Sequence, residues 1–147
     1  MAGAKRETVR VMLTPDSGWP DGIKKKFQSN LGGPDELTFR NDHHPGFIVD
    51  FVIHDPQNTG YLFPADKDEA MWCKRLEGTS NDCVTSRQHW NGFEAAAVSP
   101  DFRTLTVSTP NENVERFAFT LRFTKNPHSG DCIDWDPIGN GMNGPRS

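Results

Sequence analysis

Residues 115–124 alternate without interruption. Phe117, Phe119, Leu121 and Phe123 take one set of positions, and Arg116, Ala118, Thr120 and Arg122 take the other. A side-chain period of two sends the two sets to opposite faces, which predicts a strand with one face in a core and the other in water. A second run follows the same rule: Phe47, Val49, Phe51 and Ile53 oppose Ile48, Asp50, Val52 and His54. Its second face carries both apolar and polar groups, so partial cover by a loop is expected there. Val9, Val11 and Leu13 alternate with Thr8, Arg10 and Met12 before a turn at Thr14-Pro15-Asp16-Ser17-Gly18, the signature of an opening strand.

Weaker signals fill the intervals. Residues 19–33, with Pro20, Gly22, Lys24-Lys25-Lys26 and Gly32-Gly33, predict a loop with at most one helical turn, and the three lysines a solvated face. Leu37-Thr38-Phe39 predicts a short strand. Asp55 to Gly60 supplies a turn leading to Tyr61-Leu62-Phe63, which Pro64 ends by withholding an N–H from any ladder. Asp66, Asp68 and Glu69 favour one or two helical turns over 65–72, with acids at the N-terminal end of the dipole. The stretch from there to Gln88 reads as irregular. Residues 90–98 and 104–108 complete the set of strands before the run at 115–124.

This spacing predicts an all-β fold, a single immunoglobulin-like antiparallel β-sandwich of about seven strands. Residues 1–147 are expected to form one domain, since a chain of this length buries roughly 70% of its unfolded surface. Within 126–147, Ile133, Trp135 and Ile138 predict docking on the sandwich through Ile138 and a loose tip after it.

Composition adds exclusions. A formal charge of −4 argues against a broad grip on phosphate backbones, so nucleic acid is not expected as a partner. No run is long and apolar enough to predict a membrane-spanning helix or a secretion signal, which makes a cytoplasmic setting the expectation. A reducing compartment would keep Cys73, Cys83 and Cys132 as thiols, although Cys73 and Cys83 are spaced to close a short loop.

The segments His43 to Asp55, Leu121 to Thr124 and Asp136 to Gly141 resemble those of small bacterial proteins of the DP-EP family. The resemblance spans about half of the chain without residues 65–90, and implies a β-sandwich. It implies no substrate and no site residues.

Candidate chemistry is sparse. Asp42, His43 and His44 precede one strand and His54 closes it, roughly 30 Å away if the strand is straight, so one metal cannot use both ends. Asp42 with His43 or His44, joined by His89 or His128 from other loops, would suit zinc, copper or iron, and a metal-assisted enzyme is the second functional reading. Cys73 beside Lys74 and Arg75 has the charge to favour a thiolate but no base fixed by spacing. Asp131, Asp134 and Asp136 fail the EF-hand order and read as turn residues. Trp19, Trp72, Trp90 and Trp135 fall in loops or at strand edges, where indoles suit the stacking of a sugar or peptide. The leading expectation is a small binding or interaction module for a small molecule, sugar or peptide, with Trp72, His89 and Trp90 as ligand-binding residues. A homo-oligomer joined through strand edges is a third reading.

Overall fold

In the computed structural model, the described residues are 5–39, 46–77, 83–110, 114–129 and 131–142. They form ten strands and one short helix: β1 (Lys5–Pro15), β2 (Ile23–Gln28), β3 (Glu36–Phe39), β4 (Phe47–His54), α1 (Lys67–Ala70), β5 (Met71–Leu76), β6 (Glu94–Val98), β7 (Thr104–Thr109), β8 (Val114–Phe123), β9 (Ile133–Trp135) and β10 (Ile138–Met142). One sheet, here sheet A, runs β2-β1-β4-β7-β6. The other, sheet B, runs β3-β10-β8-β5, with β9 pairing to β8.

The expectation of an all-β sandwich holds, but the sheets are mixed rather than antiparallel and have more strands than predicted. β1 lies parallel to β4, and β10 parallel to β3. Residues 23–28 form a strand where a loop was expected. The lysine triplet conceals an alternation in which Ile23, Lys25 and Phe27 point inward while Lys24, Lys26 and Gln28 point outward. Lys25 is therefore not on a solvated face: its side chain is 1% exposed and pairs with Asp21 at 2.5 Å. β5 was also missed, because Trp72, Lys74 and Arg75 mask the inward Met71 and Cys73. Tyr61-Leu62-Phe63 contributes only a bridge from Leu62 to Thr124.

The C-terminal segment does more than dock at an edge. β10 is an interior strand between β3 and β8, and Asp136-Pro137 lets the chain pair twice with the same side of β8. A Cβ at Gly139 would stand 2.2 Å from the Phe117 ring, so glycine makes room for that ring over the backbone.

Phenylalanines from both sheets meet in the interior. Phe119 of β8 lies 6.0 Å from both Phe27 of β2 and Phe51 of β4, and Phe39 of β3 lies 5.3 Å from Phe47 of β4. Phe93 wedges between Phe117 and Phe119 at 4.7 and 4.9 Å. These rings, with Val9, Val11, Leu13, Leu105 and Val107, form the main core. Offset and tilted ring pairs at such distances add to the stabilisation by area burial.

Several strand edges are closed by the chain itself. On β2, the Ile23 N–H donates to Asp21 at 3.0 Å, the Ile23 carbonyl accepts from Lys25 Nζ at 3.0 Å, and the Phe27 N–H donates to the Pro34 carbonyl at 2.6 Å. Thr38 of β3 donates to Leu31 at 2.8 Å and Cys73 of β5 to Gln88 at 3.0 Å. An inward charge and satisfied edge amides both oppose strand addition. Among the described residues no helix is long and apolar enough to cross a membrane.

Candidate functional site

The face of β8 expected to be wet is covered. Ala118 and Thr120 are buried on it, and Val84 and Leu76 pack with Ala118 into a second apolar cluster flanked by Trp72 and Ile138. Residues 83–89 act as a strap across this side. The Thr120 hydroxyl stands 2.9 Å from the Val84 carbonyl and 2.5 Å from an Asp136 carboxylate oxygen, two acceptors for which it has one proton. Arg87 closes the strap on Glu69 of α1 at 2.5 Å.

Glu69 also binds Arg122 at 2.8 Å, and Arg122 reaches Asp134 of β9 at 3.1 Å. The Arg122 guanidinium lies over the Trp72 ring at 4.1 Å. Its side chain is only 13% exposed, so this cation is held by two carboxylates and an aromatic face with little water to screen them. Trp72 is thus half-buried beneath Arg122, and its indole N–H is buried without a partner among the described residues.

Two of the three expected ligand-binding residues, Trp72 and Trp90, pack on different apolar clusters. Trp72 belongs to the outer cluster on sheet B, whereas Trp90 packs on the main core, 5.4 Å from the Phe117 ring. A Cβ at Gly92 would meet the Trp90 ring at 2.2 Å, so the indole rests against that glycine. His89 is exposed, with Nε2 3.0 Å from the Asp68 carbonyl. Asp42, His43 and His44 lie outside the described residues. Among the described residues no group of three His, Cys, Asp or Glu side chains is placed to hold a metal.

The cysteines are free, with Cys83 exposed and Cys73 buried facing the core. Burial pushes the Cys73 thiol far above the usual range, so Lys74 and Arg75 do not make it a thiolate. Burial also raises Cys132, against the opposing pull of Arg122 and with Asp134, Glu69 and Asp131 adding to the rise.

Cys132 lines a cleft that the sequence did not single out. Tyr61 forms one wall, and Thr124, Lys125, Asn126, Ser129, Asp131, Cys132 and Ile133 the rest, around about 510 Å³. Ser129 also borders a second hollow of about 260 Å³ between α1 and the Pro127-His128 turn, with Glu69 on its wall. The turn holds itself in shape. Asn126 N–H donates to Thr124 Oγ1 at 3.1 Å, and the His128 N–H to Asn126 Oδ1 at 3.1 Å. The His128 ring rests edge-on to Phe102 at 5.6 Å. Lys125 Nζ stands 5.2 Å from the centre of the Tyr61 ring, and Asp131 is exposed.

The cleft therefore offers an aromatic wall, an apolar residue in Ile133, one cation and one carboxylate, with a thiol kept in its neutral form. That set suits binding and orientation better than nucleophilic attack. The residues were hidden because they join from either side of residues 62 and 124. The available signals were the chain's single tyrosine and the turn-forming Thr124-to-Asp131 stretch.

No protein-family model and no curated protein matches this chain. The chain is weakly similar to the crystal structure of an inclusion body protein (PixA) from Burkholderia cenocepacia J2315, at 10% identity and a TM-score of 0.44, covering 95% of this chain and 96% of that one. The likeness to DP-EP proteins rests on its short segments alone, part of the first lying outside the described residues.

Proposed function

We propose that the protein is a small-ligand binding module, and that the cleft between Tyr61 and the 124–133 turn takes a polar molecule with a flat apolar face, a sugar or short peptide. The observation that carries this reading is the cleft itself, sized for a small molecule and lined by one aromatic ring, one lysine and one aspartate around Ile133. A ring stacked on Tyr61 would keep its hydroxyls or amides within reach of Lys125, Asn126 and Asp131. Self-closed edges on β2, β3 and β5 weigh against assembly through strand pairing. A cytoplasmic setting agrees with three free thiols.

The test is a titration followed by amide and tyrosine-ring NMR, using a panel of monosaccharides and dipeptides. A true site gives saturable shifts at Tyr61 and 124–133 that vanish in Tyr61→Ala while the remaining spectrum stays folded. Shifts confined to other residues, or none at millimolar concentrations, would refute it.

A further inference from the structure

The outward face of β1 and β2 carries four cations: Arg6 and Arg10 from β1, Lys24 and Lys26 from β2. Arg6 is neutralised, since both Nε and Nη2 donate to Asp50 at 2.7 and 3.0 Å, and Asp50 also accepts from Thr106 at 2.7 Å. Arg10, Lys24 and Lys26 have no carboxylate partner among the described residues. On a chain of formal charge −4, three uncompensated cations on adjoining strands form a local positive field against the molecular average.

The register fixes their arrangement. Gln28 stands opposite Arg10, Lys26 opposite Met12 and Lys24 opposite Thr14, so Arg10 and Lys26 are diagonal neighbours. A recess of about 540 Å³ opens beside Arg10, lined by Thr8, Arg10, Gln28, Ser29 and Asn30. The Ser29 hydroxyl is already used by the turn, accepting from Leu31 N–H at 3.1 Å and facing the Gly32 carbonyl at 3.2 Å. Thr8, Gln28 and Asn30 keep their polar side-chain groups unpaired by protein among the described residues.

We infer that this recess binds the oxyanion of a small anionic ligand, phosphoryl or carboxylate, gripped by Arg10 and flanked by Lys26. A guanidinium presents paired N–H donors in the plane that an oxyanion matches, whereas amides and a hydroxyl both donate and accept and so suit hydroxyls on the rest of the molecule. Asp50, the register partner of Thr8 on β4, does not compete because Arg6 and Thr106 occupy it. The site shares no residue with the Tyr61 cleft, so either can fail without the other.

The experiment is an amide NMR titration of the full chain with sodium pyrophosphate and, separately, sodium citrate at constant ionic strength. Saturable shifts confined to residues 8–10 and 24–30 are expected. Arg10→Ala should weaken binding at least about tenfold, and Arg10→Lys, which keeps the charge and loses the fork, by several-fold. Lys67→Ala, which removes an exposed cation paired with Asp68 on α1 and outside the recess, should leave it within about twofold. Tighter binding of pyrophosphate assigns a phosphoryl ligand, and tighter binding of citrate a carboxylate. Non-saturable shifts, shifts erased by about 150 mM sodium chloride, or affinities unchanged in both Arg10 variants would overturn the inference.

Discussion

The outer faces of the two sheets start from similar alternating sequences and end in different surroundings. On sheet A, the outward residues Ile48, Asp50 and Val52 of β4 stay partly exposed and meet water beside Arg6 and Thr106. On sheet B, the outward Ala118 and Thr120 of β8 are buried under the strap at 83–89, with Val84 and Leu76 packed on them. Alternation decides which side chains share a face. Whether that face is wet depends on a segment far away in the chain, and here one irregular segment gives sheet B a second core.

The shared interior sets the scale. Phe119 is fully buried and touches rings from both sheets, so Phe119→Ala should cost about 3–5 kcal/mol in urea unfolding, the range for deleting a core phenyl ring. A loss below about 1 kcal/mol would mean that the two sheets do not depend on this contact.

The next test asks whether the covered face behaves as a core. Leu76→Ala removes a buried side chain from the outer cluster of sheet B and should cost about 2–3 kcal/mol. Ile48→Ala, on the open face of sheet A, removes a half-exposed chain and should cost about 1 kcal/mol or less. Equal losses would erase the distinction between the faces.

This contrast also marks what the sequence could disclose. Inward positions of β1, β4, β7 and β8 were legible because large apolar residues recur at every second place. β2 was not, since a lysine occupies one inward position and its burial depends on Asp21 and Trp19, with Lys25 Nζ 4.9 Å from the indole. β10 was not, because glycines in Ile138-Gly139-Asn140-Gly141 read as turn chemistry until the Phe117 ring explains Gly139. Of the candidate site, Trp72 was found as an unusual indole, but its partner Arg122 was assigned to water. The Tyr61 cleft stayed hidden because its walls come from segments far apart in the chain, joined where Leu62 bridges Thr124.

A finer probe compares two threonines. Thr120→Val keeps the shape and removes the hydroxyl that faces both Val84 and Asp136 in a buried setting, and should cost about 1–3 kcal/mol by leaving acceptors unpaired. Thr106→Val removes one hydrogen bond to Asp50, which Arg6 and water still satisfy, and should cost about 0.5 kcal/mol. If Thr106→Val proved the more damaging, the strap would not seal Thr120 from water.

The last effect follows pH and separates inside from outside on β5. Cys73 faces the core while Trp72 faces the strap, and burial raises the Cys73 thiol well above its unfolded value of about 8.5. Below that unfolded value both states carry the proton and stability does not depend on this group. Above it the unfolded chain releases a proton that the folded chain retains, so folding stability declines as pH rises, by up to about 1.4 kcal/mol per pH unit. Urea unfolding at about pH 8, 9 and 9.5 should therefore show a downward slope that Cys73→Ala reduces, whatever that variant's absolute stability. A slope identical in wild type and Cys73→Ala would place the thiol in contact with water, and with it would go the inward register assigned to β5.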